Sequence, residues 1–319
     1  MKIAREKIIF LIVSIFTLIL LPIRTFQVMK GIGKDTGFIT GLKPLNYAIY
    51  IIFLLAVFLI GILSFTDKNL RNQNQISNIN NMMFAIPTSL MVIFLLFDAG
   101  VAMVQISMNF INTPLESMNP SPADLIRNGT VSLIFRAIFA VLSAVYFSLF
   151  SISVLKKDMK YKKASIMGLT PTIWLICKLM YQLINPIRFK NVPSLMFELA
   201  FLVTAILFFF YFASSIYLNI GVRSVAKVIF TSGLIIIIVS MNHFPMFLSY
   251  LTDKQDFLTG KMPEIICDFG IMLFAFCVLC VLVFSKKESV QTEEKKENLS
   301  DKEQKQDTYL EDYFNSNEE

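Results

Sequence analysis

Glu-Ile-Ile-Cys-Asp-Phe-Gly-Ile-Met-Leu-Phe-Ala-Phe-Cys-Val-Leu-Cys-Val-Leu-Val-Phe, from Glu264 to Phe284, decides the class of this chain. After Asp268 it continues for 16 residues without a charge. A helix needs about 20 apolar residues to cross a hydrocarbon core. In lipid the backbone polar groups must be satisfied within the segment, so a run of this kind is a helix. Seven further runs of similar length lie upstream, and the expected spans are 7–29, 45–65, 83–108, 131–155, 164–184, 194–220, 227–250 and 264–284. The expected fold is an all-α membrane protein: a bundle of about eight transmembrane helices over residues 1–285, followed by a charged tail over 286–319.

Composition agrees. Only 16% of the 319 residues are charged, against about 25% in soluble domains, and mean hydropathy is +0.63. The net charge of +6 conceals an asymmetry. Ser285 to Glu319 holds six Lys against eleven acids, so Met1 to Phe284 carries a net +11. Basic residues around membrane spans are expected of cytoplasmic loops. No basic segment accompanies a nucleic-acid-binding pattern, so no nucleic-acid partner is expected.

The opening Met-Lys-Ile-Ala-Arg-Glu-Lys and the apolar run Ile8 to Leu21 look like a signal peptide. Pro22-Ile23-Arg24 follows in place of a small-residue cleavage site, so an uncleaved first span is expected. Orientation follows from the five Lys between Lys156 and Lys163, which belong in the cytoplasm. Both termini then lie inside, and the inner regions hold 14 Lys and Arg against 8 outside. The amide-rich Asn69 to Asn81 reads as a solvated linker. The tail from Ser285 has the composition of a disordered segment. Its end, Asp307 to Phe314, sets Tyr309, Leu310, Tyr313 and Phe314 among acids, a pattern suited to docking a membrane or cytoplasmic protein.

Spans 3–4 and 5–6 carry faintly similar marks: Pro87 then Asp98 against Pro171 then Lys178, and Arg136 then Tyr146-Phe147 against Glu198 then Tyr211-Phe212. Both pairs run the same way, as parallel repeats do in some transporters. Leu142 to Phe147, Pro171 to Leu183 and the stretch from Glu198 to Gly221 resemble a group of uncharacterised polytopic membrane proteins of clostridia and related Firmicutes. The resemblance covers spans 4 to 6. It implies a bacterial plasma membrane and brings no activity with it.

The candidate site is a layer of ionisable residues: Asp98, Arg136, Lys178, Glu198, His243 and Asp268. On the eight-span topology all six, and Arg24, fall in the outer half of their helices, leaving the inner half apolar. A charge at the bilayer centre costs about 2.5–3.5 kcal/mol on insertion scales, so such groups pair or line a wet cavity. Arg24 can snorkel to the surface. Asp268 and Glu198 can be read as marks of helix N-termini. Asp98 and Lys178 are too deep for either account, and a direct pair between them is expected, with Arg136 and Glu198 beside it in a cavity open to the outside. A purely structural role for the pairs competes with this reading.

Other chemistry is sparse. There is no Walker, HExxH, GxSxG or dinucleotide fingerprint. The single His, His243, cannot assemble a metal site alone, and Asn242-His243 before Pro245 reads equally as a helix-end polar pair. Cys277 and Cys280 have CxxC spacing, but in an apolar helix they read as two small hydrophobes. No cofactor or metal is expected. A permease-like protein comes first and a non-enzymatic sensor, scaffold or accessory subunit second; an enzyme comes third. The scarcity of Gly, 12 in all, counts against helices broken by glycine at a binding site.

Overall fold

The computed structural model describes residues 5–31, 43–66, 84–111, 125–126, 128–156, 166–184, 192–218, 224–252 and 262–284. Eight long helices account for most of them: α1 (Arg5–Gly31), α2 (Lys43–Thr66), α3 (Ala85–Ile111), α4 (Thr130–Lys156), α5 (Thr170–Ile184), α6 (Val192–Ala213), α7 (Ser224–Leu251) and α8 (Met262–Phe284). All eight segments are long and apolar enough to cross a membrane, and no strand occurs among the described residues. The chain parts into two units, Met1–Val283 and Phe284–Glu319. Only Phe284 of the second is described, so the expected tail lies outside the described residues. So do most of the Lys156 to Lys163 cluster and the Asn69 to Asn81 linker.

Local differences from expectation have plain causes. The fifth span begins with a 3₁₀ turn over 166–169, and its α-helix starts only at Thr170. Pro171 therefore stands in the first turn of the α-helix rather than in its interior, where a missing N–H would cost a hydrogen bond. α6 runs on as a π-helical turn, Ser214–Leu218. α7 continues through Pro245 to Leu251, which places Asn242 and His243 inside a helix rather than at its end.

Successive helices alternate in direction. One end of the bundle, the polar end, collects the ends of α1, α3, α5 and α7 and the starts of α2, α4, α6 and α8. α3 packs closely on α4, α4 on α5, α5 on α6, α6 on α7, and α1 on both α2 and α7. α7 is the central helix, buried at every position from Thr231 to His243. The outward faces of α1, α2 and α3 present Leu18, Leu54, Ile93 and similar side chains, as lipid contact requires.

α8 is touched through side chains by six of the other seven helices. Phe276 meets Phe10 of α1, and Met272 meets Ser240 of α7. Gly270 lets α3 approach: a Cβ there would stand 2.3 Å from Cδ2 of Phe94. Phe274 sits in an aromatic block, with ring centroids 5.2 Å from Phe147 of α4 and 5.3 Å from Phe212, 5.9 Å from Phe209 and 6.0 Å from Phe208 of α6. This block lies about 9 Å below Asp268, six residues of helix at 1.5 Å each. It fills the bundle on the side away from the polar end.

Candidate functional site

Five helices bring ionisable groups to one level near the polar end. The α3–α4 contact sets Asp98 opposite Arg136. Gly129, at φ 71°, makes the turn that leads into α4 shortly before Arg136. Its amide donates to the Ile126 carbonyl at 3.0 Å, and its carbonyl accepts from Leu133 at 3.1 Å. A residue with a side chain is strained at such a φ.

Arg136 grips Asp98 with two parallel bonds, Nε to Oδ2 at 3.0 Å and Nη2 to Oδ1 at 2.5 Å. Both side chains are fully buried. The indole Nε1 of Trp174 donates to Asp98 Oδ2 at 2.7 Å. The remaining arm of the guanidinium, Nη1, reaches Glu264 Oε1 at 3.2 Å, and Gln105 Nε2 donates to the same oxygen at 3.4 Å. Glu264 is the outermost member, with 17% of its side chain exposed.

A second group lies beside the first. Lys178, one turn beyond Trp174 on α5, donates from Nζ to Asp268 Oδ1 at 2.5 Å. His243 of α7 places Nε2 3.1 Å from Asp268 Oδ2. Asp268 is one turn beyond Glu264 on α8, so that helix serves both groups. All three side chains are 2–4% exposed. Lys178 also lies within Coulombic reach of Asp98, which links the two groups electrostatically.

The structure brings Asp98, Arg136, Lys178, His243 and Asp268 together, but with other pairs than expected. Asp98 bonds Arg136 and Trp174 rather than Lys178, and Lys178 turns to Asp268. A planar guanidinium matches both oxygens of a carboxylate, whereas an ammonium is a single-point donor. With α3 and α4 packed as one hairpin, Arg136 has the better claim. Asp268 is then a bridging acceptor and not merely the mark of a helix start. Glu198 is buried on α6, next to Phe197, and Glu264 stands in the place beside Arg136 expected for it. The expected repeat therefore does not extend to the ion pairs, since Lys178 takes its partner from α8. The cavity open to one side is also corrected: with Asp98, Arg136, Lys178, His243 and Asp268 all buried, the group is closed over.

Arg24 does not snorkel. It is fully buried, bonded to Gln27 one turn on, and its Cζ stands 5.6 Å from the centroid of the Phe197 ring. Gln27 donates to Asn46 Oδ1 of α2 at 3.2 Å. Tyr50 of α2 stacks on Phe197 with ring centroids 5.5 Å apart. α1, α2 and α6 thus carry a polar group of their own at the same end.

Glu264, Trp174 and Gln105 escaped the sequence reading. The spacing Glu264/Asp268 and Trp174/Lys178, both i,i+4, puts each pair on one helix face, and that signal was available. The four cysteines are free thiols. Among the described residues no group of three or more His, Cys, Asp or Glu is arranged to hold a metal ion. No family profile, no curated protein and no solved structure matches this chain.

Proposed function

We propose that this integral membrane protein is a permease-like carrier of a bacterial plasma membrane, with both termini cytoplasmic and its polar site seen here in a closed state. The observation that carries the reading is the buried network of Asp98, Arg136, Trp174, Lys178, His243 and Asp268 across five helices. As mere glue this network is poorly chosen. Interhelical polar contacts in membranes average about 0.6 kcal/mol, and a buried ion pair is often no better than packed apolar residues. Ionisable groups inside a bundle belong by default to pathways and relays. The aromatic block around Phe274 closes the site from one end, while Glu264 stands partly exposed at the other. A carrier opens these two barriers in turn.

Thiol accessibility tests this. Ser143 of α4 is fully buried, two turns inward of Arg136. Ser143→Cys, in a protein whose four native cysteines are replaced, is expected to react with a small charged methanethiosulfonate applied to either side of sealed vesicles. A folded variant whose introduced thiol reacts from neither side sinks the carrier reading and leaves a sensor, scaffold or accessory subunit.

A further inference from the structure

We infer that the polar site takes a small 2-hydroxy acid anion, and that Glu264 fills the place of the substrate carboxylate in the closed state; the inference rests on the carrier reading above and names its substrate class. The buried cations have donors left over. Arg136 has five N–H groups, and its bonds to Asp98 and Glu264 use three of them. Lys178 has three and, among the described residues, gives one, to Asp268. The buried acceptors, by contrast, are taken. Asp98 receives Arg136 on both oxygens and Trp174 on Oδ2, and Asp268 receives Lys178 on Oδ1 and faces His243 with Oδ2. A cation would find no open oxygen on either carboxylate. An anion would find unmet N–H groups, which are costly to leave buried.

Glu264 is the member of the group that can leave. Its bond from Nη1 of Arg136 is 3.2 Å long, beyond the roughly 2.7–2.9 Å of a firm bond between a cation and a carboxylate. The second donor to the same oxygen, Gln105 Nε2, stands at 3.4 Å. The Glu264 side chain is partly exposed, whereas those of Arg136 and Asp98 are fully buried. It also lies in the first turn of α8, where a carboxylate released to water keeps the favourable end of the helix dipole. Arg136 and Lys178 both lie within Coulombic reach of it, so an anion that takes its place meets two cations. A free carboxylate reproduces both the charge and the bonds of the side chain it displaces.

Gln105 defines the second half of the ligand. Its Oε1 is buried and has no hydrogen-bond partner among the described residues. The other end of the same amide, Nε2, donates to the Glu264 carboxylate. A 2-hydroxy acid answers both ends. Its carboxylate accepts from Arg136 Nη1 and Gln105 Nε2, and its hydroxyl donates to Gln105 Oε1. An ammonium in the hydroxyl's place would also donate, but it would add a third positive charge beside Arg136 and Lys178, which favours the neutral hydroxyl. A site built to bond a substrate hydroxyl discriminates against the analogue that lacks it.

Trp174 is the single tryptophan of the chain and bonds the carboxylate that Arg136 grips, so its fluorescence reports the site. The purified full chain in detergent micelles is titrated with sodium glycolate, sodium acetate and sodium phosphate at constant ionic strength. A saturable change is expected with glycolate, at about fivefold lower concentration than with acetate, as one added hydrogen bond gives. Phosphate is expected to give none. Glu264→Gln keeps an acceptor for Nη1 but removes the competing charge, and should bind glycolate about tenfold tighter. Gln105→Leu should bring glycolate down to the level of acetate. Binding no tighter in folded Glu264→Gln than in the parent overturns the inference, because a merely structural Glu264 would leave binding unmoved or weaken it. So does a response to phosphate equal to that to glycolate, or a preference for glycolate that survives in folded Gln105→Leu. The titration is independent of thiol accessibility. A reactive thiol in Ser143→Cys without any Trp174 response removes the hydroxy acid and keeps the carrier. A Trp174 response with an unreactive thiol removes the carrier and keeps a carboxylate-binding site.

Discussion

Removing the charge of Asp98 while keeping its shape is the sharpest test of the pairing. Asp98→Asn takes away a carboxylate that holds two arms of the Arg136 fork and the Trp174 indole. The asparagine amide turns a donor toward a guanidinium that has only donors. Breaking one partner of a buried pair costs about 3–5 kcal/mol, because the survivor is left uncompensated. Here Glu264 still accepts from Nη1 at 3.2 Å, so a loss near the lower end, about 3 kcal/mol, is expected. Adding Arg136→Met removes the stranded cation, and the double variant should recover roughly 2 kcal/mol relative to additivity. Adding Lys178→Met should recover less than about 1 kcal/mol, since the principal partner of Lys178 is Asp268 and its influence on Asp98 is only Coulombic. Unfolding in detergent, followed by a thiol-reactive dye as the buried Cys267 becomes accessible, measures the parent, the single variants and both doubles. A larger coupling of Asp98 with Lys178 than with Arg136 would refute the geometry and restore the direct pair expected from sequence.

Two further outcomes follow from packing and topology. Gly270→Ala puts a methyl group 2.3 Å from the Phe94 ring, and should destabilise by about 1–3 kcal/mol as an overpacked contact does; Phe94→Leu should relieve part of that loss in the same unfolding assay. For the proposed orientation, Asn119→Cys should label with an impermeant maleimide in intact cells and Ser300→Cys should not; labelling of the Ser300 position reverses the orientation.

How much was legible without coordinates depended on the range of the physics. Long apolar runs such as Glu264 to Phe284 determined eight helical spans, because lipid offers the backbone no hydrogen bonds and the chain must satisfy its own. The level of Asp98, Arg136, Lys178, His243 and Asp268 was legible too, since depth along a helix follows from counting residues at about 1.5 Å each. Which groups share a face is also local, and the i,i+4 spacing of Trp174 with Lys178 and of Glu264 with Asp268 could have been used. Azimuth between helices is not local. Only the packed bundle decided that α4 turns Arg136 onto Asp98, that α8 runs among the other helices and offers Asp268 to both α5 and α7, and that Arg24 faces Phe197 instead of water. A spanning sequence states how deep each charge lies. The rotation and neighbour order of its helices, set by contacts such as Gly270 against Phe94, choose the partner.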